Sequence, residues 1–599
     1  MLRDGDSKGF RSPMGKQSES RLIRRLYREN LIPGYFTAAT MVAGSLADAS
    51  VTGRCLGKEA LASFGLANPV IFLTMGLSGM IGVGMTISMG RVLGSGRREK
   101  AQEVFSSAVI GALGLGVLVM LILLLCPTGI VALMGARAEL LPEAAAYLRG
   151  YSLGIPAYLM QGLLNSTMPL DGDKIRCVYS MVIATAVNIA LDLLFCVVMG
   201  MGLLGMALAT SISYYVLMGV FLLHFMRKDC MVRLSLTPLS AASIREVLLS
   251  GTPFSFQMTC RMLAVVLVNR IILSVSTADS VAVYSLMMSS SNLILIDGMA
   301  GGTAVMTLDS CFVGEKDAHS ILSLMRIALR HAVLVNIMLF GLYYLAAPWM
   351  VQMFSRDALI CQNAVPAMRL FALSAAVYAV NYILRIHLQC CKHTLYALLF
   401  VFLDVLAGPV LAAFVLAHIG GTGAIWALFV AGEGAALLSF PLFAMLWGKK
   451  LPHSFAELLL IEPSWLSESD EAFEAVLEQG ENALGRAAEI SEEAVEFLLD
   501  RGVEHTKAIY LGICIEELCT NIVRHGFSSA SDTAELRLSL RDGIWTLRIR
   551  DHCRHFDVQD YFRLKDKAAN QLGLRIVEGI AKDLQYLSTL KMNQVIIRV

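Results

Sequence analysis

Residues 181–200 read MVIATAVNIALDLLFCVVMG. A run of roughly 20 apolar residues spans the hydrocarbon core of a bilayer as a helix. This one carries Asn188 and Asp192, four residues apart and therefore on one helical face. An ionisable side chain at that depth is costly and faces a bundle interior or a wet cavity. The stretch predicts a membrane helix with a functional polar face.

The pattern repeats outward from this stretch. From about Leu31 to Trp447 the chain is a series of about twelve such stretches, each roughly 20 residues long. Of 599 residues, 56% are hydrophobic and 16% charged, and mean hydropathy is +0.63, which puts the bulk of the chain in lipid. The near balance of 49 Lys+Arg and 48 Asp+Glu provides no basic face for nucleic acid. The 13 cysteines are scattered apart from Cys390 and Cys391, without metal-ligand spacing, and read as small apolar residues.

Residues 1–30 form a basic segment (Lys8, Arg11, Lys16, Arg21, Arg24, Arg25, Arg28) without a clear cleavage site, so the first helix is expected to serve as its own insertion signal. Basic residues gather in alternate loops (Arg91, Arg97, Arg98 and Lys100; Lys174 and Arg176; Arg227, Lys228, Arg233 and Arg245; Lys316, Lys392, Lys449 and Lys450). The positive-inside rule then puts both termini in the cytoplasm of a multi-pass plasma-membrane protein.

Three landmark pairs share a spacing of about 220 residues: Pro33 and Pro253, expected to open helices one and seven; Gly94 and Gly314, after helices two and eight; and Gly205 and Gly423, expected to start helices six and twelve. The expected organisation is two parallel six-helix halves, residues 31–235 and 236–450. After Trp447 the chain turns acidic and amphipathic, and residues 460–599 suffice for one soluble domain. Its pattern predicts helices near 468–486, 491–502, 505–527 and 571–583, with strands near 534–541, 544–550 and toward Val599, an α+β two-layer sandwich.

Asp48 in the first helix, Asn165 in the fourth, Asn188 and Asp192 in the fifth and Thr210 in the sixth are five oxygen-bearing side chains of one half, suited to a proton or a hard cation such as Na⁺. In the second half Arg261, Asp297, Asp309, Arg385, Asp404 and Glu433 remain, open to an ion-pair, a snorkelling or a substrate role.

The run from Asp48 through Gly53, Leu56, Gly57, Ala60 and Leu61 to Gly65, with the two halves and the Asn188–Asp192 helix followed by Gly205, resembles the multidrug and toxic compound extrusion (MATE) family over roughly residues 25–450. The resemblance implies a cation-coupling set of Asp48, Asn165, Asn188, Asp192 and Thr210. Another branch of that family uses an acidic residue in the seventh helix, where this chain has Arg261.

In the soluble part, Glu517, Asn521 and His525 fall at i, i+4 and i+8. With Asp551, Phe556, Asp557 and Gly573 they resemble the histidine-kinase-like ATPase superfamily, closest to the anti-sigma-factor serine kinases. That resemblance implies Glu517 as general base, Asn521 as Mg²⁺ ligand, Asp551 as acceptor from the adenine amino group and Gly573 in the phosphate lid. Cys553 and Gln571 stand where the family's glycine boxes often have Gly. No phosphoacceptor His followed by an acid and no P-loop motif is present.

The expectation is an H⁺- or Na⁺-coupled antiporter exporting drugs or small organic, often cationic, metabolites across the lipid bilayer. Its cytosolic domain would bind ATP with Mg²⁺ and regulate transport, alone or with a cytosolic protein partner. The alternative is a membrane signalling protein whose C-terminal domain is an ATP-dependent Ser/Thr kinase or a partner-binding module. Enzymatic activity is left open.

Overall fold

The computed structural model describes residues 13–51, 56–134, 140–227, 230–233, 239–276, 278–354, 358–529, 532–541, 543–553, 577, 579, 583–590 and 592–598. The bundle consists of α1 (Pro13–Val51), α2 (Gly57–Gly94), α3 (Arg98–Leu125), α4 (Leu141–Thr167), α5 (Lys174–Asp192, extended by a π-helical turn Leu193–Val198) and α6 (Gly202–Phe225). It continues with α7 (Ala241–Val275), α8 (Ala278–Gly314), α9 (Ala318–Phe354), α10 (Ala358–Cys390), α11 (Thr394–Val401, carried through a π-helical turn Phe402–Ala407 into Gly408–Ile425) and α12 (Leu428–Gly448). Among the described residues nine helices are long and apolar enough to cross a bilayer. The long helices α1, α4 and α8 complete the bundle.

Three landmarks move. Pro33 and Pro253 lie inside α1 and α7, which begin earlier, at Pro13 and Ala241. Gly423 belongs to the last turn of the α11 segment, because the chain turns at Trp426–Ala427 before α12. Gly94 and Gly314 do end α2 and α8, and there the two halves press together. A Cβ on Gly94 would come within 2.0 Å of the Cys311 carbonyl oxygen, and one on Gly314 within 2.1 Å of the Arg91 carbonyl oxygen. Only glycine permits so close a backbone approach, and it shuts the bundle at this end.

The C-terminal part follows a short connector and α13 (Pro463–Asp470). It is a five-stranded antiparallel sheet of order β1-β2-β3-β5-β4, with β1 Phe473–Glu478, β2 Thr533–Arg541, β3 Ile544–Asp551, β4 Asp583–Thr589 and β5 Met592–Arg598. Its helices are α14 (Ala483–Asp500) and α15 (His505–Asn521, ending in a π-helical turn Ile522–Gly526). The helix expected at 468–486 is instead split by β1. Phe473, Ala475 and Leu477 alternate into the core, so the period of two wins over the acidic, helix-like composition. The helix expected at 571–583 falls largely outside the described residues.

Strand alternation divides the sheet into two chemically different faces. Leu536, Leu538, Leu547, Ile549, Val595 and Ile597 pack on α14 and α15. Arg537, Arg548, Arg550 and Gln594 point the other way and are nevertheless buried. What buries them is the closed end of the helical bundle.

Candidate transport and nucleotide sites

On α5, the Asn188 Nδ2 amide donates to Asp192 Oδ2 at 2.8 Å; Ser213 Oγ on α6 shares its one proton between Asn188 Oδ1 at 3.1 Å and the Thr210 carbonyl at 2.7 Å. Both members of the pair are buried. A Cβ on Gly44 of α1 would sit 3.6 Å from Thr185 Cγ2 of α5. Position 48 lies one turn beyond Gly44 and Asn188 about one turn beyond Thr185, so the helices put them at one level. The Asp48 side chain itself lies outside the described residues.

Two other expected members stand apart. Thr210 Oγ1 donates to the Met206 carbonyl of its own helix at 3.1 Å, so its hydroxyl proton is not directed at Asp192. The Asn165 carbonyl accepts from Cys177 Sγ at 3.8 Å, which fixes Asn165 about three turns, roughly 16 Å, along α5 from Asn188. Ser213, which sequence reasoning passed over, takes the place beside the pair. A serine in an apolar helix gives little signal, because most such hydroxyls bond to their own backbone.

The second half concentrates more charge. Asp404, in the π-helical turn of α11, and Glu433 of α12 are brought together by Asn381 of α10. Asn381 Nδ2 on α10 donates to Asp404 Oδ1 at 2.9 Å and to Glu433 Oε2 at 2.7 Å. Arg385 is fully buried nearby, its guanidinium 4.3 Å from the Tyr382 ring centroid. A cleft opens beside them, lined among others by Arg261, Tyr284, Tyr378, Asp404, Phe429 and Glu433. Arg261 thus faces the same space as the two carboxyls. Asp297 belongs to a separate network between the halves, accepting from Tyr35 Oη of α1 and from Asn336 Nδ2 at 2.5 Å.

In the soluble part, α15 turns Leu511, Cys514, Ile515, Leu518 and Cys519 to the core and leaves Glu517 and Asn521 half-buried on its flank. Asp551 ends β3 on the helix-facing side of the sheet. Its Oδ1 accepts from Asn593 Nδ2 at 2.8 Å and from the Cys553 amide at 2.9 Å. Burial pushes its carboxyl above the ordinary range, against those two hydrogen bonds. Asn593 is in turn held by Tyr586 Oη at 2.5 Å. His525 is exposed beyond the helix in the π-helical turn, whereas Phe556, Asp557, Gln571 and Gly573 lie outside the described residues.

The arginine face of the sheet makes a dense interface with the bundle. Glu315, in the turn after α8, pairs with Arg550 and with Arg548 at 2.7 Å. Asp317 pairs with Arg537. Arg548 Nη2 also donates to the Gly94 carbonyl, and Arg598 Nη2 to the Ser95 carbonyl, each at 3.4 Å. The Leu590 amide donates to the Leu170 carbonyl at 3.0 Å. Burial works to raise Asp317, but Arg537 outweighs it and holds the carboxyl well below its usual range. Burial, with Arg537 adding repulsion, pushes Arg548 down to about 9.

A family model described as MatE matches residues 33–194 and again 253–414. The chain belongs to the MatE family. The two matches begin about 220 residues apart, the same offset as the glycine pair that closes the bundle. A model of the histidine kinase-like ATPase domain matches residues 481–599, so this MatE chain carries such a domain at its C-terminus.

Among similar proteins is the multidrug export protein MepA of Staphylococcus saprophyticus, 25% identical over 405 residues, covering 67% of this chain and 88% of that one. Among solved structures, a mutant of the MATE transporter VcmN of Vibrio cholerae superposes with a TM-score of 0.68 at 16% identity, covering 72% of this chain and 99% of that one. A MOP superfamily transporter of Pyrococcus furiosus gives 0.65 at 23%, covering 73% and 98%. This MatE chain is therefore a multi-pass membrane transporter.

Proposed function

We propose that the protein is a cation-coupled multidrug exporter whose ATPase-like domain regulates the transport cycle. The observation that carries the coupling is the buried Asn188–Asp192 pair, level with position 48 between α1 and α5. A buried carboxylate with an amide and a hydroxyl around it gains a proton or binds Na⁺ at little geometric cost, and loses either when water reaches it. Occupation on one side of the membrane and release on the other would drive the two halves past each other. The export of drugs is named in similar proteins such as MepA, and the cleft beside Asp404 and Glu433 suits a small organic cation.

Regulation is supported by where the sheet docks. Its arginine face touches Gly94, Ser95 and Leu170 of the first half and Glu315 and Asp317 of the second. A body bonded to both halves at the closed end favours the state in which that end is shut. ATP with Mg²⁺, bound by Glu517, Asn521 and Asp551 on the opposite side of the sheet, would bias the same equilibrium. We place this end, with both termini, on the cytoplasmic side. The partner of the arginine face is then the chain's own transporter.

The test is substrate efflux from proteoliposomes under imposed H⁺ or Na⁺ gradients, with and without ATP and Mg²⁺ on the domain side. Gradient-driven efflux that Asp192→Asn abolishes supports coupling, and efflux indifferent to both gradients sinks it. An ATP effect that disappears in Asn521→Ala supports regulation, and none in the wild type refutes it.

A further inference from the structure

Among the described residues, two clusters bring an aspartate, a histidine and a cysteine within metal-ligand range: Asp171, His224 and Cys230 in the first half, and Asp309, His387 and Cys391 in the second. They differ in what already occupies them. In the first, Asp171 Oδ2 meets His224 Nε2 at 2.7 Å and Asp171 Oδ1 accepts the Met231 amide at 2.8 Å. His224 Nδ1 faces the Arg176 guanidinium at 3.1 Å and Asp173 at 3.3 Å. A fixed cation is in place and each carboxylate oxygen of Asp171 is used.

Among the described residues the second cluster has no guanidinium in hydrogen-bond contact, although the buried Arg91 lies within electrostatic range of Cys391. Asp309 on α8 and His387 and Cys391 at the end of α10 are buried, with the first two completely excluded from solvent. His387 Nε2 lies 2.9 Å from the Leu459 carbonyl oxygen, which can only accept, so Nε2 carries a proton. Its other nitrogen, Nδ1, faces Asp309 Oδ2 at 2.9 Å, and Cys391 Sγ lies beside the ring, 3.9 Å from Nδ1 and 3.7 Å from Nε2. Asp309 Oδ1 is buried and has no nitrogen or oxygen partner, and the Cys390 thiol also approaches Asp309. An imidazole, a carboxylate and thiols therefore lie together out of contact with water.

We propose that Asp309, His387 and Cys391 bind a divalent transition metal of the zinc class. Zinc at about 2.0 Å from N and O and about 2.3 Å from S sets ligand atoms roughly 3.3–3.6 Å apart. The observed 2.9 and 3.9 Å bracket that spacing. One thiolate and one carboxylate neutralise M²⁺ in a site that excludes water, and Asp309 Oδ1 stands ready as a further ligand atom. Binding releases the thiol proton and any proton on Nδ1. The donation from His387 to a backbone carbonyl is the outer contact that orients a metal-binding imidazole.

That carbonyl belongs to the connector between α12 and the ATPase-like domain, and His393 Nε2 sits 3.0 Å from the next carbonyl, that of Leu460. The metal would thus fix the ends of α8 and α10 to the tether of the soluble domain.

Metal analysis of the full-length protein, purified in detergent without a polyhistidine tag and incubated with Zn²⁺ before desalting, is expected to find about one zinc per chain. Loading with Co²⁺ should produce a sulfur-to-metal charge-transfer band, lost in Cys391→Ser and kept in Cys230→Ser. Folded wild-type protein that retains no zinc, or a Co²⁺ spectrum without a thiolate band, overturns the site. So does a band lost in Cys230→Ser but not in Cys391→Ser. A wild-type spectrum without a thiolate band overturns the site even if a variant fails to fold.

Discussion

In the first half the buried carboxylate of Asp192 is set beside a neutral donor, Asn188, with Ser213 next to it. In the second half two carboxyls, Asp404 and Glu433, share the amide of Asn381 beside the buried Arg385 and open on a cleft. The second pair thus has two arginines, Arg261 and Arg385, close at hand, where the first has none among the residues named. The lesson is that a common six-helix architecture has been given two electrostatic tasks. Under the function proposed above, the first half would bind and release one cation, and the second would hold the exported molecule.

The largest expected effect separates these tasks. Asp192→Asn should reduce gradient-driven efflux by roughly tenfold or more, since it removes the charge on which coupling rests. Glu433→Gln should leave coupling to the gradient intact and act on substrate KM and on the pH dependence of efflux. Parallel transport assays with varied substrate would show it. Equal loss of coupling in both variants would erase the distinction between the halves.

Next in size is the joint between both halves and the sheet. Glu315→Ala leaves Arg548 and Arg550 buried without their carboxylate, a change that costs about 3–5 kcal/mol when one partner of a buried pair is removed. Hydrogen exchange should rise along β3 and at the Gly94 turn together if the sheet bridges the halves, and along β3 alone if it does not. Asp317 gives the joint a pH dependence. Its folded pKa is depressed, so its contribution is complete above the ordinary aspartate range and disappears as pH falls through the lower, folded value. Acidification should loosen wild-type docking more than it loosens Asp317→Asn.

The membrane architecture was readable because lipid imposes it: helix length, the polar face of residues 181–200 and the glycine pair at Gly94 and Gly314 each have one physical reading. The soluble domain was partly readable, through Glu517, Asn521 and Asp551 at their spacing. Strand β1 was not, since FEAVLE satisfies an amphipathic helix as well as an alternating strand until β2 pairs with it. Neither was the role of Arg537, Arg548 and Arg550, because a charged strand face reads as solvated when the covering surface is hundreds of residues away. The approach of His387 to Asp309 is hidden for the same reason, 78 residues apart.

A smaller effect is expected where the second-half pair is held. Asn381→Ala removes donated hydrogen bonds to both carboxyls, worth about 1.5–3 kcal/mol each to a charged group. The two carboxyls should then lose their common anchor, and substrate KM should rise a few-fold in transport assays. An unchanged KM would mean that Arg385, not Asn381, sets the position of the pair.

The smallest is the matching change in the first half. Ser213→Ala removes one neutral hydrogen bond to Asn188 Oδ1, a loss of about 1 kcal/mol, while Asn188 Nδ2 still donates to Asp192. Thermal stability should fall slightly, and the cation concentration for half-maximal efflux should rise only a few-fold, because the charge and the amide are intact. If Ser213 is a direct ligand in place of Thr210, Ser213→Thr should restore the wild-type value and Thr210→Ala should have little effect. A reversal, with Thr210→Ala the more damaging, would show that the Thr210 oxygen is the ligand, its lone pairs being free while its proton goes to the Met206 carbonyl. The cation set would then be the one the sequence resemblance implied, assembled only on binding.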